Sequence, residues 1–176
     1  MGHVRFKVRT WLSHTFDIQQ KDIHAGCFVG TVMFLISVAV RLLSGAPYRV
    51  YFLLREAGIF PPLIIFTLLT LLITCTMGFA CGVTLLCRKK HLRESKYQAG
   101  MIAVLLSLCW FAAYPLIFRG AMLAFGLFCL GMAWFLSFCV IKLYFRIQIL
   151  SAWLMIISLL WQTYQLIALL NFILWL

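Results

Sequence analysis

Residues 60–87 read FPPLIIFTLLTLLITCTMGFACGVTLLC, with no charged side chain from Phe60 to Cys87. About 20 apolar residues in a helix, rising about 1.5 Å each, cross the ~30 Å hydrocarbon layer of a bilayer. This run exceeds that length, so it crosses with tilt. The period-two alternation of a barrel strand is absent, and in lipid the remaining way to satisfy every backbone polar group is a helix.

Four more apolar runs flank it. AGCFVGTVMFLISVAV starts at Ala25 and extends to Leu43 if Arg41 turns its guanidinium out to the headgroups. YQAGMIAVLLSLCWFAAYPLIF fills residues 97–118, GAMLAFGLFCLGMAWFLSFCVI fills residues 120–141, and the last run occupies residues 149–175. Over all 176 residues, 65% are hydrophobic and 11% charged. The mean hydropathy is +1.05, well outside the range of a water-soluble domain. The reading is an all-α membrane protein: a five-transmembrane-helix bundle over residues 25–176, preceded by a basic interfacial arm over residues 1–24.

Only Arg119 and Gly120 separate the third and fourth runs, which implies a tight antiparallel hairpin. Pro115 near the end of the third run is tolerable in a membrane helix. The first connection, RLLSGAPYRVYFLLREAG, carries aromatic and aliphatic residues between its arginines, so it reads as a segment folded over the mouth of the bundle or lying in the interface.

The formal net charge of +11 comes with a strong asymmetry. Arg5, Lys7, Arg9, Lys21, Arg88, Lys89, Lys90, Arg93, Lys96, Lys142 and Arg146 fall on one side of the bundle, whereas Arg41, Arg49, Arg55 and Arg119 fall on the other. The positive-inside rule then places the N-terminus in the cytoplasm and the C-terminus outside, as in a bacterial cytoplasmic membrane. The run CRKKHLRESK reads as an anchor on anionic lipid, and nothing in the charge pattern calls for nucleic acid.

Chemistry-bearing constellations are scarce. The seven cysteines show no CxxC spacing, and those inside the runs behave as small hydrophobes. His3, His14, His24 and His91 are scattered, and the carboxylates Asp17, Asp22, Glu56 and Glu94 all lie in the arm or the connections. No catalytic residue and no metal ligand is therefore assigned, and proton relays built on intramembrane carboxylates are excluded.

Two patterns remain. In the last run Trp161, Tyr164, Ala168, Phe172 and Trp175 recur at three- and four-residue steps and share a face. Beside them Ser151, Ser158, Gln162 and Gln165 form a polar stripe, with Asn171 further along. Polar side chains in hydrocarbon turn inward, either to bond a neighbouring helix or to line a cavity. The second pattern is a pair of GxxxG steps, Gly26 with Gly30 and Gly78 with Gly82, which let helix backbones approach closely within one chain or across a homodimer.

The chain resembles the TspO/MBR (translocator protein, or tryptophan-rich sensory protein) family, and the resemblance rests on an ordered set of short matches. Gly26-Cys27-Phe28-Val29-Gly30 is similar to the glycine-spaced segment of the family's first helix. Tyr51 and Leu54 match its first loop, Pro61-Pro62 and Phe66 the opening of helix two, and Met77-Gly78 a later point in that helix. Phe118 and Gly120 resemble the corner between helices three and four, and Leu170-Asn171 with Trp175 the closing motif. The chain also departs from the pattern. Ile59 and Thr70 stand where the family usually has tryptophan, Ile73-Thr74 replace a Leu-Tyr, and Phe111 and Tyr114 stand for an Asn and a Trp.

The resemblance implies a five-helix bundle, often dimeric, with a pocket beneath the first loop that binds porphyrins and other tetrapyrroles. The matching positions are Tyr51, Pro61, Pro62, Phe66 and Asn171, and the residues of the last run add Trp161, Tyr164, Gln162 and Gln165. No cofactor is required, and porphyrin is the candidate ligand. The function expected is binding of a planar hydrophobic molecule as sensor, carrier or regulator. Light-dependent porphyrin breakdown is the alternative, with Trp110, Trp134, Trp153 and Trp161 available for it, and a structural or partner-binding protein without small ligand is the third reading. The charge asymmetry carries the first prediction. Reporter fusions at the two ends should report a cytoplasmic N-terminus and an external C-terminus; a cytoplasmic C-terminus overturns the assignment.

Overall fold

A computed structural model describes residues 20–43, 61–86, 93–118 and 123–175. They form five helices: α1 (Gln20–Leu43), α2 (Leu63–Leu86), α3 (Arg93–Phe118), α4 (Leu123–Ile147) and α5 (Ile149–Trp175). Each is long and apolar enough to cross a membrane. Large apolar side chains such as Phe28, Ile64, Leu68, Phe128 and Leu160 face outward, an arrangement suited to hydrocarbon and not to water. The chain is a multi-pass integral membrane protein.

Helix ends differ from the sequence reading where charge was taken as a boundary. α1 begins at Gln20, so Lys21, Asp22 and His24 belong to the helix and not to the arm; Asp22 is buried in the first turn, where the positive end of the helix dipole favours an acid. α3 starts at Arg93, with Glu94 in its first turn. α4 continues past residue 141 to Ile147 with Arg146 in its last turn, because long basic side chains reach the interface without ending a helix. α2 starts at Leu63, once both prolines have passed, and the Phe66 N–H donates to the Pro62 carbonyl at 2.9 Å. The arm to residue 19, the first connection at residues 44–60, the basic run at 87–92 and the corner at 119–122 lie outside the described residues.

Of the four closely packed pairs, three follow chain order. α1 packs on α2, α2 also on α5, α5 on α4 and α4 on α3; α3 closes the ring through lighter contacts with α2 and α1. Antiparallel pairing puts the end of α1 beside the start of α2, and the ends of α3 and α5 at that same end of the bundle.

The α1–α2 seam is built from the four glycines. A Cβ at Gly82 would lie 2.6 Å from the Ala25 carbonyl oxygen and 2.9 Å from the Gly26 Cα, and one at Gly30 would lie 3.0 Å from the Cys75 carbonyl. Gly26 abuts Phe79 and Val83, and Gly78 abuts Met33 and the Gly30 Cα. Both GxxxG steps therefore meet each other inside one chain, which lets dispersion contacts form along two backbones.

Hydrogen bonds hold the α4–α5 seam. Ser137 Oγ lies 2.9 Å from both Gln162 Oε1 and the Ala133 carbonyl, and the Trp134 indole N–H donates to Thr163 Oγ1 at 2.8 Å. Only Gln148, itself buried, separates the two helices.

Two outcomes follow for stability in detergent. Gly82→Leu should destabilise the bundle by about 2 kcal/mol or more, in the range of core overpacking, whereas Gly131→Ala, with open space around its Cα, should be neutral or slightly stabilising; equal thermal shifts for the two would refute the close seam. Gln162→Leu should cost about 1 kcal/mol, as interhelical hydrogen bonds in lipid do, and a Ser137→Ala background should shrink that cost; a cost that persists undiminished would mean that the pair is not coupled.

Candidate functional site

All five helices contribute to one cavity in the half of the bundle where α1 ends. Ser37, Val40 and Arg41 come from α1, Thr70 from α2, Trp110, Phe111, Ala113 and Ile117 from α3, Leu130 from α4, and Gln165 and Leu169 from α5. The walls enclose about 480 Å³ of atom-free space, part of it open to the outside. Little of this space is wide, so it is a slot between helices and not a chamber.

Local sequence fixes each wall. The Thr70 hydroxyl donates to the Phe66 carbonyl at 2.8 Å and the Thr74 hydroxyl to the Thr70 carbonyl at 2.8 Å, so these polar groups are satisfied within α2. Thr74 Oγ1 in turn accepts the Trp110 indole N–H at 3.2 Å, which ties the plane of a wall residue of α3 to α2. Arg41 sits in the last turn of α1, and the terminal nitrogens of its guanidinium are shut off from the outside. Its expected course out to the headgroups is thus corrected: the side chain lines the cavity.

The candidate residues from the sequence divide. Gln165 lines the cavity. Gln162, fully buried, instead turns to Ser137 of α4, and its amide nitrogen lies 3.5 Å from Ser158 Oγ. Phe66 is fully buried against Trp161, with ring centroids 5.7 Å apart and planes at 45°; Trp161 stacks on Tyr164 at 5.2 Å and 24°. This aromatic group lies one helical turn from two cavity residues, since Phe66 precedes Thr70 by four and Trp161 precedes Gln165 by four. The Trp161 indole N–H is buried with no hydrogen-bond partner, a deficit of about 1–3 kcal/mol that an acceptor reaching it would recover. Pro61 is half-buried and Pro62 exposed at the start of α2, and Asn171 is exposed towards the end of α5. Tyr51 lies outside the described residues.

Sequence reasoning missed Ser37, Arg41, Thr70, Trp110 and Phe111 as cavity residues. A signal existed for two of them: Ser37 and Arg41 are four residues apart within an apolar run, so they share a face, and polar groups at that depth turn away from lipid. Of the other tryptophans, Trp134 is spent on the α4–α5 seam and Trp153 is mostly exposed, beside Phe145.

A smaller cavity of about 220 Å³ occupies the opposite half, lined by Met33, Met77 and Met155 with Cys81, Leu106 and Tyr144. Flexible thioethers of this kind fill irregular gaps between helices. The Tyr144 hydroxyl there is in reach of Cys81 and Thr84.

No curated protein and no solved structure matches the chain. The model of one family does, over residues 28–176, which takes in all of the cavity, the glycine step of α2 and the whole of α5. With five membrane-spanning helices and a match across most of its length, the chain belongs to the TspO/MBR family.

Proposed function

We propose that the protein binds a planar hydrophobic ligand, a porphyrin or other tetrapyrrole, in the cavity among its five helices, and acts through that binding as a sensor, carrier or regulator. The observation that carries the reading is the composition of the wall. Trp110 and Phe111 offer aromatic surface on α3, while Thr70, Gln165, Ser37 and Arg41 offer a few polar groups on the facing helices. A porphyrin has two wide π faces and a polar edge, and such a molecule is held by stacking surfaces with a small number of placed polar atoms. Family membership supports the same class of ligand. The aromatic group of Phe66, Trp161 and Tyr164 extends the apolar surface one turn beyond the slot.

Light-dependent breakdown of the bound porphyrin is a second reading, favoured by one observation: Trp110 is a wall residue, so an oxidisable indole stands against the ligand position. Binding without loss of the porphyrin absorption band under illumination supports the first reading; loss that Trp110→Phe abolishes supports the second. The charge asymmetry further supports a bacterial cytoplasmic membrane with the N-terminus inside.

Protoporphyrin should quench tryptophan fluorescence saturably, with micromolar-scale affinity, about −8 kcal/mol. Gln165→Leu and Trp161→Ala should each weaken binding by about 1 kcal/mol or more, whereas Gln162→Leu, whose amide serves the α4–α5 seam, should leave the affinity of the folded protein unchanged. Quenching that never saturates, or that ignores Gln165 and Trp161, would mean partition into detergent and a protein with a structural role.

A further inference from the structure

Arg41 is a charge in an unusual place. It stands in the last turn of a membrane-spanning helix, where a basic side chain normally runs outward to phosphates and water. Here it lines the slot, one turn from Ser37 on the same helix, with Val40 beside it and the indole of Trp110 among the other wall residues. A guanidinium held against apolar walls is expensive at membrane depth, and such residues are a default sign of function.

We propose that Arg41 makes this cavity selective for acids: it receives a carboxylate at the edge of the flat ligand, while the apolar body lies against Trp110, Phe111 and Leu130. The inference rests on the proposed ligand class and adds to it the charge that the ligand must carry. Guanidinium carries five donors in a planar fork that matches a carboxylate with two parallel hydrogen bonds, so it can serve a ligand alongside any contact it keeps within the protein. Among largely apolar walls that charge-assisted pair is strong, and a neutral isostere entering the same slot cannot form it. Gln165 and Thr70, being neutral, supply no such bias.

The test compares protoporphyrin with its dimethyl ester, which keeps the macrocycle and removes the charge. Both are titrated by fluorescence quenching against the full-length protein in nanodiscs of uncharged lipid at neutral pH. The wild type should prefer the diacid by roughly 10-fold or more, the scale of a hydrogen bond to a charged group. Arg41→Gln should bring the ratio of the two dissociation constants close to that of empty nanodiscs, and Arg41→Lys, which keeps the charge but not the fork, should retain part of the preference. Because the readout is a ratio within each variant, a general change in membrane partition cancels. The wild-type ratio stands even if a variant fails to fold. Saturable binding of both compounds with no preference in the wild type, or a preference that survives Arg41→Gln, overturns the role of Arg41 and leaves the porphyrin reading standing. Saturable binding of neither compound overturns the porphyrin reading, and the inference with it.

Discussion

Helices already in lipid gain nothing by burying apolar surface against one another, because the acyl chains are as apolar as leucine. Association has to come from closer packing than lipid can offer, or from hydrogen bonds that lipid cannot make. This chain uses the first device between α1 and α2 and the second between α4 and α5. The glycine seam has the larger consequence. α1 reaches the rest of the bundle mainly through α2, and the cavity wall at its far end consists of Ser37, Val40 and Arg41. Gly26 and Gly30 hold α1 close to α2, and α1 in turn carries that part of the cavity wall. The site thus depends on glycines that take no part in it.

On α5 the same polar residue type is put to two uses by angle alone. Gln162 and Gln165 are three residues apart, which places them about 60° from each other around the helix axis. That rotation is enough to turn one amide to Ser137 of α4 and the other into the cavity. Both are buried, so burial could not tell them apart. Their separation depends on where α4 and α2 lie relative to α5, a fact of tertiary structure.

That is also the limit of what could be read in advance. The five spans were legible because the requirement is one-dimensional: enough apolar residues in a row to match the hydrocarbon thickness. The inward turn of Ser151, Ser158, Gln162 and Gln165 was legible because hydrocarbon penalises polar groups from every direction but one. Helix ends were less so, since Lys142 and Arg146 can lie on a helix and still reach the interface. Arg41 misled for the same reason: snorkelling is the ordinary solution for an arginine near a span end, and its shared face with Ser37 was the one local sign of an inward turn. The cavity itself is assembled from five separate segments, and no periodicity within one segment reports which others it will face.

Two positions that the resemblance marks as departures, Thr70 and Phe111, both stand in the cavity wall. On α2 the small Thr70 side chain has its donor already spent on the Phe66 carbonyl. On α3 Phe111 adds an aromatic ring next to Trp110. The aromatic surface of the wall therefore lies on α3. What remains for polar recognition is concentrated on α1 and α5, in Ser37, Arg41 and Gln165. On the proposed reading a planar ligand would stack mainly on α3 and present its polar edge across the slot to α1 and α5. Its orientation would then be set by the two helices that carry these polar groups, and a change in ligand chemistry should be traced first to them.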